Sequence, residues 1–233
     1  MRALILMHGD WGPPGLLAEW MGARGIAFDV HRTYEDAPWP DPSAYDFVAS
    51  LGSNRNPRDT DDPAVAGELA LLADAVAADV PVLGLCFGGQ ALAAALGARV
   101  EAAPVPEVGW VEIETDEPEL VPAGPWLSWH YERFELPDGA VELARTPAAV
   151  QAFRHGRHLG LQFHPESTPE IVLGWAHADT ERLRALGHAD GAALIAATPA
   201  KRAAARAAAF ALFDGFLANA NDPVAPAAAV REG

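Results

Sequence analysis

Short apolar runs alternate with helix-like segments over the first hundred residues of the chain. Four apolar runs are bounded by glycine, proline or charged residues, which predicts four short buried strands. The segments between them place apolar residues at helical spacing, as Leu16, Leu17 and Trp20 do. This alternation is typical of a parallel sheet covered by helices on both faces. The predicted strands are residues 3–7, 26–30, 45–51 and 80–85, and the predicted helices are residues 15–24, 63–78 and 87–96.

The second half of the chain carries strand candidates that lie closer together, joined by turns that contain proline or glycine. Their close spacing predicts antiparallel strands added to the same sheet. The predicted fold class is therefore α/β, with an open, mostly parallel sheet, helices on both faces and antiparallel strand additions in the second half. The candidates are residues 108–115, 141–146, 150–154 and 159–163.

Helical patterns follow these strands, at residues 169–177 and in an alanine-rich stretch at 199–220. The chain shows no internal repeat and no strong linker, so we expect one domain. The expected divisions are a domain over residues 1–220, with a core at 1–175, a C-terminal helical extension at 176–220 and a flexible tail at 221–233.

Composition narrows the possible partners and compartments. The 233 residues include 16 basic and 32 acidic side chains, which gives a formal net charge of −16. Nucleic-acid binding needs clustered Lys and Arg, so this charge argues against a nucleic-acid partner. No apolar stretch is long enough to span a membrane, and the first apolar run is too short for a signal peptide. A single cysteine cannot form an internal disulfide, so we expect a cytoplasmic protein without membrane contact.

The single cysteine, Cys86, lies where a predicted strand meets a predicted helix. Gly84 and Gly88 flank it in the pattern Gly-x-Cys-x-Gly, which is the form of a nucleophile elbow. Such a turn projects one side chain at the carboxyl edge of a sheet, and glycines leave room for it. The helix N-terminus favours a thiolate, and the N–H of Phe87 can donate to a developing oxyanion. The alternative is that Cys86 is a small apolar residue packed between glycines.

A second candidate segment ends the last predicted strand with His164-Pro165-Glu166. Side chains two residues apart in extended chain lie on the same side, and Pro165 favours extended geometry at His164. His164 can therefore act as a general base toward a thiol, with Glu166 orienting its ring. Taken alone, a histidine at a strand end with a nearby glutamate is more often a surface ion pair.

Together these two motifs resemble the class I (triad-type) glutamine amidotransferases, such as the glutaminase domain of GMP synthetase. The elbow motif of that family, G-x-C-x-G-x-Q, matches Gly84, Cys86, Gly88 and Gln90, and its H-P-E motif matches residues 164–166. The resemblance covers roughly residues 1–175. It implies a flavodoxin-like fold and a Cys86–His164–Glu166 triad that hydrolyses the side-chain amide of glutamine through a thioester.

The resemblance also implies an oxyanion hole and a substrate subsite. The family uses a backbone N–H from a glycine-rich loop after the third strand, together with the N–H that follows the cysteine. In that loop a serine takes the place of the second glycine of the usual pair, so the identity of the donor stays open. Trp129 and Tyr131 can equally be core-packing residues. The implied oxyanion-hole residues are Gly52, Ser53 and Phe87, and the implied substrate-binding residues are Gln90, Trp129, His130 and Tyr131.

The resemblance leaves the destination of the ammonia open. The chain could supply ammonia to a synthase, it could be a stand-alone hydrolase of γ-glutamyl amides or peptides, or it could be a non-catalytic regulatory module. We expect no cofactor and no metal site, because the remaining histidines, including His8, form no spaced ligand set and are interpreted as structural or surface residues. In the C-terminal helix Phe210, Phe213 and Leu217 form one apolar stripe. It packs on the sheet or serves as a docking surface for a synthase or a second copy.

Overall fold

A computed structural model describes residues 1–187 and 191–221 of the chain. Strands and helices alternate over the first half, and strands dominate the region before the C-terminal helices. The strands are β1 (Arg2–Met7), β2 (Ala27–Arg32), β3 (Phe47–Ser50), β4 (Val82–Leu85), β5 (Val100–Val111), β6 (Glu114–Thr115), β7 (Trp126–Phe134), β8 (Val141–Arg145), β9 (Val150–His155) and β10 (His158–Leu161). The helices are α1 (Gly15–Arg24), α2 (Pro63–Ala77), α3 (Phe87–Ala95), α4 (Pro169–Ala178), α5 (Thr180–Ala185) and α6 (Ala192–Asn221).

The central sheet has eight strands in the order β2-β1-β3-β4-β10-β9-β8-β6. The first five of these strands are parallel, and β9, β8 and β6 continue the sheet in antiparallel fashion. The helices α1, α2 and α3 follow β1, β3 and β4 and cover the two faces of the sheet, as expected for parallel strands that are buried on both faces. The predicted fold class, a mostly parallel α/β sheet with antiparallel additions, is confirmed.

Four features of the second half differ from the prediction. β10 pairs with β4 in parallel, whereas the close spacing of the strands suggested an antiparallel addition. β5 and β7 form a separate two-stranded antiparallel sheet, so not all added strands join the central sheet. β7 was not predicted as a strand, because its polar and aromatic residues show no clean alternation. The strand predicted over residues 108–115 covers only the end of β5, because Pro104 and Pro106 argue against a strand before it. An irregularity between Ala102 and Glu107 accommodates the two prolines.

The core lies on both faces of the central sheet. Alternate residues of β1 serve the two faces: Ile5 packs toward the cluster that contains α1 and α6, and Leu6 packs toward the cluster that contains α2 and α3. A third cluster joins the β5–β7 sheet to α4, α5 and the start of α6. This third cluster holds the β7 segment against the carboxyl edge of the parallel strands, where the candidate site lies.

The C-terminal helix begins earlier than predicted, at Ala192 rather than at residue 199. Pro199 lies inside α6, although proline is most common in the first turn of a helix. Phe213 and Phe216 are fully buried against the sheet, and Phe210 and Leu217 pack at the edge of the same cluster. The stripe therefore belongs to the core, and its interpretation as a docking surface is wrong.

Two further expectations concern the whole chain. The division into one domain over residues 1–220 stays a prediction. Of the expected tail, residues 222–233 lie outside the described residues. Within residues 1–187 and 191–221, no helix combines the length and the apolar character that crossing a membrane requires.

Candidate active site

β4 delivers Cys86 to the carboxyl edge of the sheet, and α3 begins at the next residue. Cys86 has φ 51° and ψ −105°, a conformation that L-residues avoid and that costs on the order of 1–3 kcal/mol. Its N–H donates to the carbonyl of Leu161 at 2.9 Å, and its carbonyl accepts from the N–H of Gln90 at 2.9 Å. Backbone bonds on both sides therefore hold the strained turn in place.

Glycines are needed around this turn because neighbouring backbone approaches closely. A Cβ atom at Gly84 would collide with the carbonyl of Gly88, and a Cβ at Gly88 would collide with the carbonyl of Ser50. The N–H of Gly88 also donates to the carbonyl of Leu51 at 3.2 Å. The turn after β4 is thus packed directly on the end of β3, and the Gly-x-Cys-x-Gly pattern has a steric cause.

His164 and Glu166 form a buried pair beside this turn. Nδ1 of His164 lies 2.7 Å from Oε1 of Glu166, and both side chains are buried. The N–H of His164 donates to the carbonyl of Leu127 at 2.8 Å, and its ring packs edge-on against Trp175 with a centroid separation of 4.5 Å. These contacts fix the orientation of the imidazole.

The environment of His164 favours its protonated form. Burial alone lowers the pKa of the imidazole, but the charges of Glu166 and of the Cys86 sulfur outweigh burial and raise the pKa to about 10. The side chains of His164 and Cys86 line the same cavity.

The predicted oxyanion loop follows β3 and faces the same histidine. A Cβ at Gly52 would lie 2.7 Å from Cε1 of His164, so only glycine fits this position without displacement of the ring. Ser53 accepts a hydrogen bond at its Oγ from the N–H of Arg55 at 3.1 Å, which organises the loop. Phe87, the third predicted member, is the first residue of α3 and is buried.

The predicted substrate residues come from α3 and β7. Gln90 donates from Nε2 to the carbonyl of Glu132 at 3.1 Å. Trp129 and Tyr131 donate from Nε1 and from the hydroxyl to the same atom, Oδ2 of Asp179, at 2.9 and 2.5 Å. Burial, together with the hydrogen bond to Asp179, raises the pKa of the Tyr131 hydroxyl well above its ordinary value.

His130 points away from this shared carboxylate and into a polar cluster. Its Nε2 lies 3.0 Å from Oε2 of Glu107, and its Nδ1 lies 2.9 Å from the carbonyl of Glu132. Burial by itself raises the pKa of Glu107, but hydrogen bonds, first among them that of His130, outweigh burial and lower it. The expected role of His130, shaping its segment, is consistent with these contacts.

One cavity of about 860 Å³ joins these elements. Each of the three polypeptide segments around Cys86 contributes to its wall: the loop after β3, the β7 segment and the α4–α5 region. The predicted site residues that line it are Gly52, Ser53, Cys86, Gln90, Trp129, His130, Tyr131 and His164. Glu166 is hydrogen-bonded to His164, which lines the cavity, and Phe87 directly follows Cys86 at the start of α3.

Several residues of the site were not predicted. Gln162 is fully buried and donates from Nε2 toward the Cys86 sulfur at 3.8 Å. Gln162 could have been found from the sequence, because it is an amide within an apolar run. No local sequence pattern predicts that Asp179 accepts from both Trp129 and Tyr131. His8, interpreted as a structural or surface residue, is buried and contacts the carbonyl of Gly52 at 3.1 Å.

Within the described ranges, 1–187 and 191–221, no three His, Cys, Asp or Glu side chains are grouped so as to hold an ion.

Solved structures share this fold. A glutamine amidotransferase from Methylobacillus flagellatus superposes with a TM-score of 0.84 and 28% sequence identity, over 93% of this chain and 94% of that one. A glutamine amidotransferase from Thermotoga maritima superposes with a TM-score of 0.83 over 93% of this chain and 98% of that one, at 23% identity. The fold is therefore that of glutamine amidotransferases.

Sequence comparison gives the family. The model of the family described as "Glutamine amidotransferase class-I" matches residues 22–171. The glutamine amidotransferase-like protein YfeJ of Salmonella typhimurium is 30% identical over 189 residues, which are 75% of this chain and 79% of that protein. The GMP synthase of Aeropyrum pernix is 40% identical over 95 residues, 37% of this chain but only 18% of that enzyme. The chain belongs to the class I glutamine amidotransferase family.

Proposed function

We propose that this protein is a cysteine-dependent glutaminase that hydrolyses the side-chain amide of glutamine and releases ammonia for an acceptor. The observation that carries the proposal is the convergence on one cavity of a strained cysteine, a buried histidine and a glycine-containing loop. Family membership makes glutamine the first substrate to test.

In the proposed first step the Cys86 thiolate attacks the amide carbon of the glutamine side chain. A carbon–sulfur bond forms, and the carbonyl electron pair moves onto oxygen as an oxyanion. The His164 imidazolium then gives its proton to the departing nitrogen, so ammonia leaves as the carbonyl re-forms in a γ-glutamyl thioester. Glu166 holds the ring in place and offsets its positive charge.

In the proposed second step a water molecule attacks the thioester carbon. Neutral His164 takes the proton of the water, a second oxyanion forms, and its collapse breaks the carbon–sulfur bond. Glutamate leaves, and the thiolate–imidazolium pair is restored. Both oxyanions need donors, and we assign this role to the backbone N–H of Phe87 and to an N–H of the Gly52–Ser53 segment.

Substrate selection is assigned to the wall opposite the histidine. Gln90 and the Trp129–Tyr131 segment would hold the glutamine around its α-carbon, with His130 supporting the segment from behind. The two hydrogen bonds to Asp179 keep this wall rigid, and rigidity favours productive orientation of a small substrate.

The proposed partner is a synthase that consumes the ammonia. Relatives named GMP synthase suggest that the ammonia is passed to a synthase. A homo-oligomer is the other possible assembly. A cytoplasmic location belongs to the proposal, because a thiolate nucleophile has to stay reduced.

The test measures glutamate and ammonia release from glutamine, γ-glutamyl anilide and a γ-glutamyl dipeptide. The proposal expects glutamine to be hydrolysed, and expects Cys86→Ala and His164→Gln to lose roughly 10³-fold or more in kcat, because members of a triad act as a unit. His158→Gln is the matched control, since His158 is also buried and lies at the opposite end of β10 from His164.

Three outcomes separate the alternatives. Turnover of γ-glutamyl anilide or peptide with none of glutamine would indicate the stand-alone γ-glutamyl hydrolase. Turnover that rises on addition of a synthase would identify the acceptor. Wild-type protein without turnover of any of these compounds would contradict the enzymatic proposal and favour the regulatory module.

A further inference from the structure

A second buried histidine–glutamate pair lies behind the loop that follows β3. We infer that His8 and Glu68 are positioning residues that hold the Gly52–Ser53 peptide with its N–H directed into the cavity. Ser50 completes the network. This inference rests on the proposed function for its kinetic consequence, but its structural part can be tested without any turnover.

The side chains of the network are buried and hydrogen-bonded to one another. Nδ1 of His8 lies 3.1 Å from the carbonyl oxygen of Gly52, and Nε2 lies 2.6 Å from Oε2 of Glu68. The hydroxyl of Ser50 donates to Oε1 of the same carboxyl group at 2.5 Å. His8 is 4% exposed, Glu68 is 1% exposed and Ser50 is fully buried. Three polar side chains this deep are costly unless every contact is made.

The hydrogen-bond pattern fixes which nitrogen of His8 carries hydrogen. A backbone carbonyl can only accept, so Nδ1 of His8 is the donor to Gly52. One further proton is shared between Nε2 and Oε2 of Glu68, whichever atom holds it. The Ser50 hydroxyl occupies the other carboxyl oxygen, so Glu68 cannot rotate away without losing a second bond. The donor to the Gly52 carbonyl is therefore permanently aimed.

The position of the Gly52 carbonyl determines the direction of the Ser53 N–H. The Gly52 carbonyl and the Ser53 N–H belong to one planar trans peptide and point in opposite directions. Because the carbonyl points back to buried His8, the Ser53 N–H points away from it, on the side of the loop that lines the cavity. In the described part of the chain no protein group accepts from this N–H. Of the two candidate donors, the geometry points to Ser53.

His8 also contacts the other side of the proposed oxyanion hole. Its ring packs edge-on against Phe87, with a centroid separation of 4.9 Å. Phe87 begins α3, and its N–H is the second assigned donor. One side chain thus sets the spacing between the loop after β3 and the turn after β4. Donors that are held in place before the reaction contribute more than donors that must reorganise.

The experiment compares His8→Leu with His8→Asn. Leucine fills the volume and donates nothing, whereas the amide nitrogen of asparagine takes up about the position of Nδ1 and can still donate to the Gly52 carbonyl. His158→Leu is the control for placing leucine at a buried histidine. Three quantities are measured: kcat for glutamine, the rate at which iodoacetamide alkylates Cys86, and the orientation of the Gly52 carbonyl in crystal structures of both His8 variants.

We expect His8→Leu to lose about 10²–10³-fold in kcat, the usual cost of one oxyanion donor, and His8→Asn to recover most of the loss. Alkylation displaces iodide from a saturated carbon and forms no oxyanion, so its rate should stay close to that of wild type. A kcat that hardly changes in His8→Leu, or losses of kcat and alkylation in equal proportion, would overturn the inference.

The crystallographic arm keeps the two proposals apart. If wild-type protein hydrolyses no γ-glutamyl compound, the proposed function fails. The inference is then tested by the orientation of the Gly52 carbonyl alone. A Gly52 carbonyl that turns away in His8→Leu and stays in place in His8→Asn supports the anchor. An unchanged carbonyl in His8→Leu overturns it.

Discussion

Replacement of Phe213 by alanine tests whether α6 is an integral part of the core. The Phe213 ring is fully buried and packs at 5.4 Å from the ring of Trp20 on α1. Removing it leaves a cavity between α6, α1 and the sheet, which the rigid strands cannot fill by moving. Emptying a site of this kind costs about 3–5 kcal/mol in the free energy of unfolding. For a chain of this size that corresponds to a fall in Tm of roughly 6–20 °C.

Phe210→Ala is the matched control on the same helix. Phe210 is only half-buried, and its outer face is covered by Arg206, whose guanidinium lies 4.1 Å from the ring centroid. The same substitution should therefore cost about 1 kcal/mol, because folding removes the ring from water only in part. Urea unfolding followed by tryptophan fluorescence and circular dichroism gives both values, and light scattering reports the mass of each variant.

Phe213→Ala has to be several-fold more destabilising than Phe210→Ala, and neither change should alter the mass in solution. Equal costs for the two substitutions would refute the assignment of α6 to the core. A dissociating assembly with an unchanged Tm would restore the docking interpretation of this helix.

Three further predictions concern the candidate site. Glu166→Gln should reduce kcat less than His164→Ala, because the amide can still hold the ring although it no longer offsets its charge; equal losses in kinetic assays would contradict this. The pKa of His164 is raised in the folded protein to about 10. Protonated His164 therefore contributes its full stabilisation below the pKa of the unfolded chain, about 6.5, and this stabilisation is lost as pH rises toward about 10. The stability difference between wild type and His164→Ala, measured by urea unfolding, should shrink over that pH range. Asp179→Ala removes the shared acceptor of Trp129 and Tyr131, so KM for glutamine should rise more than kcat falls, whereas a kcat effect alone would argue against a binding role.

The fold was most predictable where local pattern and tertiary environment agree. Three of the four N-terminal strands, β1, β3 and β4, are buried, so each reads as an apolar run that is followed by a helix. The exception is β2, which was predicted as a buried strand but forms the edge of the sheet and is largely exposed. β7 is different, because its residues face a cavity on one side and helices on the other, and its polar groups are satisfied by distant partners such as Asp179. The parallel pairing of β10 was also inaccessible, since a tight turn after β9 looks the same whichever partner the strand takes on its other edge.

In the candidate site, too, local sequence motifs reveal some residues and not others. Cys86 and the His164–Glu166 pair were identified because each belongs to a short motif with a steric or geometric cause. His8 and Glu68 lie 60 residues apart in the chain and meet only through the packing of α2 beside β1 and β3. Neither has a neighbour in sequence that hints at the other. Long-range polar pairs of this kind carry no periodicity, so a single sequence does not reveal them.

The order of strands in the sheet explains how four separate segments come together in the proposed reaction centre. β1, β3, β4 and β10 are consecutive neighbours, and all are parallel, so their carboxyl ends lie side by side. Read along that edge, the groups are His8, the Gly52–Ser53 loop, Cys86 and His164. Addition of a thiolate to an amide requires oxyanion donors on one side of the carbon and a proton carrier near the nitrogen. A nucleophile on β4, with the loop on one neighbour and the base on the other, meets both requirements through strand order alone, and β1 then lies where an anchor for the loop is needed.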